Sequence, residues 1–346
     1  MNLINCRIHG KGNIVLEPML ALEPKPDEVV IRLGAGGICG SDLHYYFEGR
    51  VGNFVVKEPL TPGHEASGVL EKVGSNVKGL AAGMKVAVNP SHPCGRCPAC
   101  RSGRENLCER MFFLGSASVF PHAQGMFADH FILGARQVMP VDTDISLGEL
   151  AFAEPFAVGL HAVQRAGGNL TGKRVLVTGA GTIGSLCATA AKLAGAAEVT
   201  VCDVLDRPLE VALQVGADHA FRSDTADAKD YAGRFDVALE AAGHPRALLS
   251  CLDAVKRGGV IVQVGTLPHD GLTFPANLIM QREIDYRGAF RWGMEFDWAV
   301  EYLSQRKVDV RPLLTQQFPL AQAVEAFKLA ADKTRATKVQ VMGSGA

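Results

Sequence analysis

The first part of the chain, from Asn2 to about Leu150, consists of short β-branched runs interrupted by glycine every few residues. "GVLEKV" and "KVAV" are two such runs, and turn-forming residues flank each of them. Short β-branched runs bounded by turn residues are typical of strands. This part of the sequence therefore predicts a compact domain made mostly of β-strands.

The pattern changes near Asn169, where apolar segments alternate with alanine-rich stretches. "KRVLVTGAGTIGSLCATAAKLAGAAEVTVCD" predicts a strand, a glycine-rich turn, a helix and a second strand. "FDVALEAAG" and "GGVIVQVG" supply two more candidates for buried strands, and "ATKVQVMGSGA" predicts a last strand and a flexible end. Near-continuous apolar strands that alternate with helices predict an α/β fold with a parallel, doubly wound sheet.

The glycine-rich turn has the spacing Gly179-x-Gly181-x-x-Gly184 and lies directly between a strand and a helix. The first glycine allows the tight turn, the second lets a pyrophosphate approach the backbone, and the third lets the helix pack on the strand. Asp203 ends the next strand, where a carboxylate accepts hydrogen bonds from ribose hydroxyls and repels a 2′-phosphate. We therefore expect NAD, with NADP less favoured. The nearby Arg207 weakens this preference, because a guanidinium can hold a 2′-phosphate.

Composition and charge narrow the function classes. The chain has 346 residues, of which 47% are hydrophobic and 21% charged, and its formal net charge is −1. Such a length favours two domains, and the balanced charge gives no reason to expect nucleic acid as a partner. We see no secretory signal and no apolar run that could span a bilayer, so we expect a cytoplasmic protein without a membrane partner. In a reducing compartment, clustered cysteines are more often metal ligands or catalytic thiols than disulfides.

Four cysteines lie close together in "HPCGRCPACRSGRENLC", at Cys94, Cys97, Cys100 and Cys108. Four thiolates suit a tetrahedral Zn²⁺ with no open position, which makes a structural site. An iron–sulfur cluster also takes four thiolates, but the bacterial ferredoxin run has a different fourth spacing and a following proline. A nucleic-acid-binding zinc knuckle is disfavoured by the near-neutral charge and by the dinucleotide motif. We therefore expect structural zinc here.

A second, sparser set of possible ligands is formed by Cys39, His64, Glu65 and Glu154. A thiolate, an imidazole and one or two carboxylates suit a catalytic zinc with an exchangeable position. Each residue taken singly also has a structural explanation: a cysteine after glycines packs, a histidine is a satisfied polar group, and an acid before proline caps a helix.

These motifs together resemble the zinc-dependent medium-chain dehydrogenase/reductase family over essentially the whole chain. The stretches that carry the resemblance are "GICGSDLHYYFEGRVGNFVVKEPLTPGHEASG", the four-cysteine segment, "AEPFAVGLHAV" and "VTGAGTIG". It implies a GroES-like, β-rich catalytic domain at residues 1–152 and 286–346, with a structural zinc lobe at 90–110. It also implies a Rossmann NAD-binding domain at 153–285 and two zinc ions per chain.

The resemblance is greatest to the sorbitol dehydrogenase branch, and it assigns roles to single residues. Cys39 and His64 match ligands of the catalytic zinc, and Glu65 and Glu154 match carboxylates that complete its shell directly or through water. Ser41 and His44 match positions that pass the alcohol proton outward. The resemblance also implies residues that bind the cofactor, namely Ile183, Arg207, Val264, Gly265, Thr266 and Phe290. It implies three residues that contact the substrate, namely Tyr45, Phe113 and Arg291.

Within that branch, "GGICGSDLHYYFEGRVGNF" and "FKLAADKTRATKVQV" most resemble the L-idonate 5-dehydrogenase group. This implies reversible, NAD-linked oxidation of a secondary alcohol of a sugar acid, L-idonate to 5-keto-D-gluconate. Arg291 is the best candidate to bind the substrate carboxylate, and Arg50, Lys57 and Arg110 are others. The alternatives are a neutral polyol such as sorbitol or xylitol, and a non-catalytic NAD-binding relative. Members of the branch form homodimers or homotetramers, and we expect one of these here.

Overall fold

The computed structural model describes residues 3–268 and 271–344. Its strands, in chain order, are β1 (Ile4–Gly10), β2 (Asn13–Pro18), β3 (Glu28–Gly37), β4 (Arg50–Val51), β5 (Phe54–Val55), β6 (Glu65–Val73), β7 (Lys85–Val88), β8 (Ser91–His92), β9 (Phe112–Phe113), β10 (His130–Gly134), β11 (Val138–Val141), β12 (Arg174–Thr178), β13 (Glu198–Asp203), β14 (His219–Arg222), β15 (Phe235–Glu240), β16 (Val255–Gln263), β17 (Asp285–Gly288), β18 (Leu314–Pro319) and β19 (Lys338–Met342).

The α-helices are α1 (Gly40–Glu48), α2 (Pro98–Arg101), α3 (Leu147–Leu150), α4 (Ala153–Ala166), α5 (Thr182–Leu193), α6 (Asp206–Gln214), α7 (Pro245–Ala254), α8 (Ala276–Arg282), α9 (Glu295–Ser304) and α10 (Ala323–Ala331). Short 3₁₀ turns lie at Glu105–Leu107, Ala135–Gln137, Ala228–Asp230, Arg311–Leu313 and Leu320–Gln322. Among the described residues, none of these helices is long and apolar enough to cross a membrane.

Two compact units are formed. The first contains the described residues up to Glu154, together with Phe296–Asp332 and the described residues from Lys338 onward. Its main sheet has the order β11-β7-β6-β3-β19-β18, and β10 also pairs with β3. All of these neighbours are antiparallel except β18 and β19. The expected mostly β unit, which uses both ends of the chain, is therefore present.

The core of this unit is formed by alternate residues of neighbouring strands, which point to the same face of the sheet. Ile31 and Leu33 of β3 pack with Leu70 of β6 and Val86 of β7, and all four are buried. "KVAV" is β7 and "GVLEKV" lies within β6, so both sequence predictions are confirmed. The four-cysteine segment leaves this core as a lobe, which the short antiparallel pair β8 and β9 closes at its base.

The second unit contains Pro155–Glu295 and Lys333–Thr337. Its six strands are all parallel and have the order β14-β13-β12-β15-β16-β17. Numbered from β12, this is the order 3-2-1-4-5-6 of the Rossmann fold, so the predicted doubly wound sheet is confirmed. The core of this unit is formed where three of its strands pack against α7. Its buried residues include Leu176 of β12, Ala238 of β15 and Ile261 of β16, together with Leu248 and Leu252 of α7.

The bounds of the second unit differ from the expected residues 153–285. The expected end falls inside β17, which pairs in register with β16 and so completes the parallel sheet. The unit therefore extends to Glu295, and it also takes up Lys333–Thr337 just before β19. Sequence pattern could not place this end, because β17 ("DYRG") has neither an apolar run nor alternation.

Candidate metal centres and dinucleotide site

The candidate catalytic metal centre begins where β3 ends. Cys39 is the N-cap of α1, and its backbone N–H donates to Asp42 Oδ2 at 2.9 Å. The other oxygen of Asp42 accepts from Gly63 N at 3.0 Å. Asp42 is completely buried, and it thereby ties together the loop that carries Cys39 and the loop that carries His64.

His64 lies beside Asp42 with its ring in a buried position. Its Nδ1 is 3.7 Å from Asp42 Oδ1, and this nitrogen has no hydrogen-bond partner among the described residues. Burial alone lowers the pKa of His64, but the negative charges of Asp42, Cys39 and Glu154 raise that pKa well above its ordinary value. Ligand atoms of Cys39, His64 and Glu65 all lie within 4.8 Å of one another. These three sequence-predicted residues are thus brought together.

Glu65 is the first residue of β6, and it is held by a lysine from the last strand. Lys338 Nζ donates to both carboxylate oxygens, at 2.8 and 2.7 Å, and also to Ile38 O at 3.0 Å. Both side chains are at least 96% shielded from solvent. Glu65 is therefore oriented by a buried cation while it stands next to Cys39 and His64.

Glu154 lies in the first turn of α4 and is also buried. Burial raises the pKa of Glu154 to about 8, against the attraction of His64 and Lys338. It is outside the tight group of Cys39, His64 and Glu65. Its carboxyl joins Asp42, Glu65 and Cys39 as a fourth acidic group around His64 and Lys338.

The two residues of the expected proton path both lie on the first helix. Ser41 is half-buried in the first turn of α1, and His44 is exposed one turn later. His44 Nδ1 lies 2.7 Å from Glu48 Oε1 on the same helix. Since positions three apart on a helix are neighbours, the two residues are arranged from the half-buried start of the helix to its surface.

One of the expected substrate residues lies near this group, and another anchors a nearby segment of the chain. The ring of Phe113 is 5.6 Å from that of His64, centroid to centroid. Tyr45 is buried, and its hydroxyl accepts from Ala117 N at 3.0 Å and lies 3.4 Å from Ser116 Oγ. The Tyr45 hydroxyl therefore fixes the loop after β9.

The four clustered cysteines are all free thiols with their sulfur atoms within 4.8 Å of one another. Backbone N–H groups point at the sulfurs, since Cys108 Sγ accepts from Cys94 N at 3.2 Å and from Arg110 N at 3.4 Å. Such bonds, from Cys100 and Glu109, lower the pKa of Cys97 to about 6. Sulfur atoms bound to one tetrahedral zinc are about 3.8 Å apart, so the observed cluster has the required size.

The three glycines of the turn after β12 are needed for different reasons. Gly179 has φ +87°, and a Cβ there would lie 2.8 Å from the backbone of Ala242. A Cβ on Gly184 would lie 1.7 Å from Gly179 O, whereas a Cβ on Gly181 would meet nothing within 4 Å. Gly179 and Gly184 thus shape the turn, and Gly181 leaves open space in front of the N-terminus of α5, where a pyrophosphate is favoured.

Asp203 ends β13 beside this turn. Its Oδ2 accepts from Ala180 N at 2.7 Å, and its Oδ1 accepts from Val204 N and Leu205 N. Arg207 is exposed in the first turn of α6. Ile183 is half-buried in the first turn of α5, two residues after the open Gly181.

The other expected cofactor residues form the carboxyl edge of the same sheet. Val264 N and Gly265 N donate to Glu240 O, and Gly243 lies so close to Thr266 that a Cβ would be 2.6 Å from its carbonyl oxygen. Phe290 is 56% exposed, and the guanidinium carbon of Arg291 lies 4.8 Å from the centre of its ring. Arg291 has φ +55°, which is unusual for a residue with a side chain.

Comparison with known proteins gives the family. The alcohol dehydrogenase GroES-like domain family matches residues 25–143, and the zinc-binding dehydrogenase family matches residues 182–305. L-idonate 5-dehydrogenase (NAD(P)(+)) of Escherichia coli is 39% identical over 98% of each chain. The chain belongs to the zinc-dependent medium-chain dehydrogenase/reductase family. It is therefore a zinc-binding, NAD(P)-linked oxidoreductase.

Other relatives of this dehydrogenase agree. Human sorbitol dehydrogenase is 37% identical over 94% of this chain and 92% of its own. The crystal structure of L-idonate 5-dehydrogenase from Escherichia coli superposes with a TM-score of 0.94 at 38% identity, over 99% of this chain and 98% of that one. A zinc-binding dehydrogenase from Sinorhizobium meliloti bound to NADP matches with a TM-score of 0.91 at 27% identity, over 99% of both chains.

The dehydrogenase has residues that fit zinc at two places. The four thiols supply a complete tetrahedral set, which fits a structural ion. Cys39, His64 and a carboxylate supply three protein ligands of mixed type, which fits a zinc with one exchangeable position. His64 Nδ1 faces the buried Asp42 carboxylate at 3.7 Å, and a carboxylate beside the second ring nitrogen is common for histidines that bind zinc.

Three residues of the dehydrogenase site were not among those predicted from its sequence. Asp42 joins the loops that carry Cys39 and His64, Lys338 orients Glu65, and Glu240 accepts from Ala242 N and Gly243 N and so shapes the dinucleotide loops. Asp42 and Glu240 could have been found from the sequence, because each is an acidic residue next to a recognised motif or an apolar strand. No local sequence feature indicates that Lys338 belongs to the site.

Proposed function

We propose that this dehydrogenase oxidises L-idonate to 5-keto-D-gluconate with NAD⁺, reversibly, and that it uses two zinc ions per chain. The observation that carries the proposal is the full-length similarity to L-idonate 5-dehydrogenase, 39% identical over 98% of each chain. The buried group of Cys39, His64 and Glu65 supports it, because these are the donor types of a catalytic zinc.

The proposed cofactors supply the chemistry that side chains lack: zinc stabilises negative charge on the alcohol oxygen, and NAD⁺ accepts the hydride. Cys39, His64 and Glu65 or Glu154 would hold the catalytic zinc, and Cys94, Cys97, Cys100 and Cys108 the structural one. Asp42 ties the loop of His64 to the loop of Cys39, and Lys338 holds the Glu65 carboxylate.

The proton of the alcohol leaves along α1 in our proposal. Ser41 accepts it at its hydroxyl oxygen while it donates its own proton onward, and the exposed His44 passes a proton to water. Imidazole suits this last transfer, because its ordinary pKa lies near neutral pH.

Substrate choice requires a cation for the carboxylate of the sugar acid, and we assign this role to Arg291. A guanidinium forms paired hydrogen bonds with a carboxylate. Its position over the Phe290 ring and its left-handed backbone restrict where the guanidinium can lie. Phe113 lies beside His64, and Tyr45 contributes through the loop that it fixes.

A neutral polyol is the second candidate, because sorbitol dehydrogenases are nearly as similar as the first relative. The deciding experiment mixes purified protein with NAD⁺ and follows NADH absorbance with L-idonate, sorbitol and xylitol in parallel. A higher kcat/KM for L-idonate that Arg291→Gln removes supports the sugar acid. Preference for sorbitol or xylitol contradicts it, and no turnover with any of the three at full zinc occupancy favours a non-catalytic relative. Gel filtration tests the expected homodimer or homotetramer.

A further inference from the structure

The end of β14 carries a guanidinium next to the candidate ribose site. Asp203 of β13 and Arg222 of β14 are paired residues in the two parallel strands, and Ser223 N donates to Asp203 O at 2.9 Å. Neighbouring strands are about 4.8 Å apart, so Arg222 begins one strand spacing away from the carboxylate expected to bind the ribose.

Two aspartates occupy this guanidinium. Arg222 Nε and Nη2 donate to the two oxygens of Asp224, at 3.0 and 2.6 Å, and Nη1 donates to Asp206 Oδ2 at 3.1 Å. Every nitrogen of the guanidinium therefore faces a carboxylate. Paired N–H groups of arginine are also what binds a phosphate, so the two aspartates take the positions that a phosphate would need.

The charges around Asp203 disfavour a 2′-phosphate. Asp203, Asp206 and Asp224 are opposed by Arg207 and Arg222, which leaves one net negative charge at this end of the sheet. A phosphate monoester carries between about 1.5 and 2 negative charges at pH 7. The ion pairs of Arg222 with Asp206 and Asp224 are exposed to water and therefore weak. A phosphate that displaced the two aspartates from Arg222 would nevertheless lie close to their carboxylates and to that of Asp203.

We propose that Arg222 is a latent 2′-phosphate anchor and that Asp206 and Asp224, by occupying it, disfavour NADP relative to NAD. This inference rests on the proposed function in one respect, namely that the adenosine of the cofactor binds at Asp203. It differs from recognition by Asp203 alone, since it makes the choice of cofactor depend on two further carboxylates.

The test measures binding of NADH and NADPH to the purified zinc-loaded protein by nicotinamide fluorescence. The double variant Asp206→Asn/Asp224→Asn is expected to bind NADPH about ten- to hundredfold more tightly than wild type, with NADH affinity unchanged. Asp224→Asn alone, which frees two of the three nitrogens, is expected to give an intermediate gain. Competition by 2′,5′-ADP against AMP locates the change at the adenosine end.

Two further variants identify the arginine. Adding Arg222→Gln to the double variant is expected to abolish the NADPH gain, whereas adding Arg207→Gln preserves it. The inference is overturned if the gain survives without Arg222, or if the double variant, folded and still binding NADH, gains no affinity for NADPH. Failure of the wild-type protein to bind NADH would contradict the proposed function itself, and the inference with it.

Discussion

Lys338 and Glu65 form a buried ion pair between strands that are 273 residues apart in the sequence. Lys338 Nζ is 2.7 and 2.8 Å from the two carboxylate oxygens, and its third donor reaches Ile38 O at 3.0 Å. The ammonium therefore has an acceptor for each proton. The pair joins β6 to β19 and places a fixed carboxylate next to Cys39 and His64.

We expect Lys338→Met to lower the free energy of unfolding by about 3–5 kcal/mol, because it leaves the Glu65 carboxylate buried without its cation. Urea denaturation measures this loss. The matched control is Lys192→Met, whose partner Asp218 is half-exposed and whose loss should be below about 1 kcal/mol. Equal losses in the two variants would show that the buried pair contributes no more than a surface one.

Gly184→Ala and Gly181→Ala are expected to weaken NADH binding for different reasons, and only the first should also lower thermal stability. The new Cβ of Gly184→Ala would lie 1.7 Å from Gly179 O, so this variant should lose thermal stability as well as NADH binding. The Cβ of Gly181→Ala meets no protein atom within 4 Å, so it should keep its melting temperature and lose NADH affinity by crowding the pyrophosphate. Scanning calorimetry and fluorescence titration separate the two effects. Unchanged NADH affinity in Gly181→Ala would place the pyrophosphate elsewhere.

Glu295→Gln is expected to destabilise the protein in a pH-dependent way. Burial raises the pKa of Glu295, but hydrogen bonds from His161 and from the backbone N–H groups of Glu295 and Gly293 bring it below its ordinary value. A lowered pKa means that the stabilisation is present above the unfolded pKa of about 4.3 and is lost as pH falls through the folded pKa.

The free-energy difference between wild type and Glu295→Gln should thus be about 1–3 kcal/mol at pH 7 and shrink below about pH 4. Urea denaturation across that range measures it, with the exposed Glu301→Gln as control. Because Glu295 also holds Gly293, two residues after Arg291, the variant should raise KM for L-idonate more than it lowers kcat. A constant difference at all pH values would show that the charge of Glu295 plays no part.

Ser41→Ala is expected to lower kcat about 10²- to 10⁴-fold, because it removes the hydroxyl that passes the alcohol proton onward. Zinc content and NADH affinity should not change. His44→Gln should have a much smaller effect, since His44 is exposed and water can take its place. Steady-state kinetics between about pH 6 and about pH 10, a range that includes the ordinary pKa of histidine, measures the kcat of both variants. A Ser41→Ala enzyme with wild-type kcat would remove Ser41 from the proton path.

Cys100→Ser is expected to reduce the zinc content by about one ion per chain, because it removes one ligand of a site without spare donors. Metal analysis after gel filtration measures this change. Cys251→Ser is a matched control, since Cys251 is buried outside both ligand groups. Equal zinc content in wild type and Cys100→Ser would contradict a four-thiolate site.

Local sequence spacing predicted the parts of the site whose members are close together in the chain. The four cysteines and the three glycines act within 15 and 6 residues of sequence respectively, so their types and spacing carry most of the chemistry. The strand that carries Lys338 was also predicted, since "KVQV" alternates as a strand does. The pairing of Lys338 with Glu65 could not be predicted, because only the sheet order β6-β3-β19 brings the two residues together.

The contribution of Asp42 was hidden for a different reason. It lies in a motif that was recognised, but an aspartate three residues after an N-cap position has an ordinary explanation as a helix-start residue. Only its complete burial and its bond to Gly63 N show that it joins two ligand loops. In the same way, Arg222 looked like an ordinary charged residue until the register of β13 and β14 placed it next to Asp203.

The position of β19 has a consequence for biosynthesis. The strands of the parallel sheet, β12 to β17, leave the ribosome as one continuous stretch, so that sheet can assemble while translation continues. The earlier unit must wait, because residues 35–37 of β3 lack their neighbour and Glu65 its cation until residues 338–342 emerge. Although this unit starts first on the ribosome, it is completed last, and the nascent chain must keep this short exposed part of the β3 edge from pairing wrongly until then.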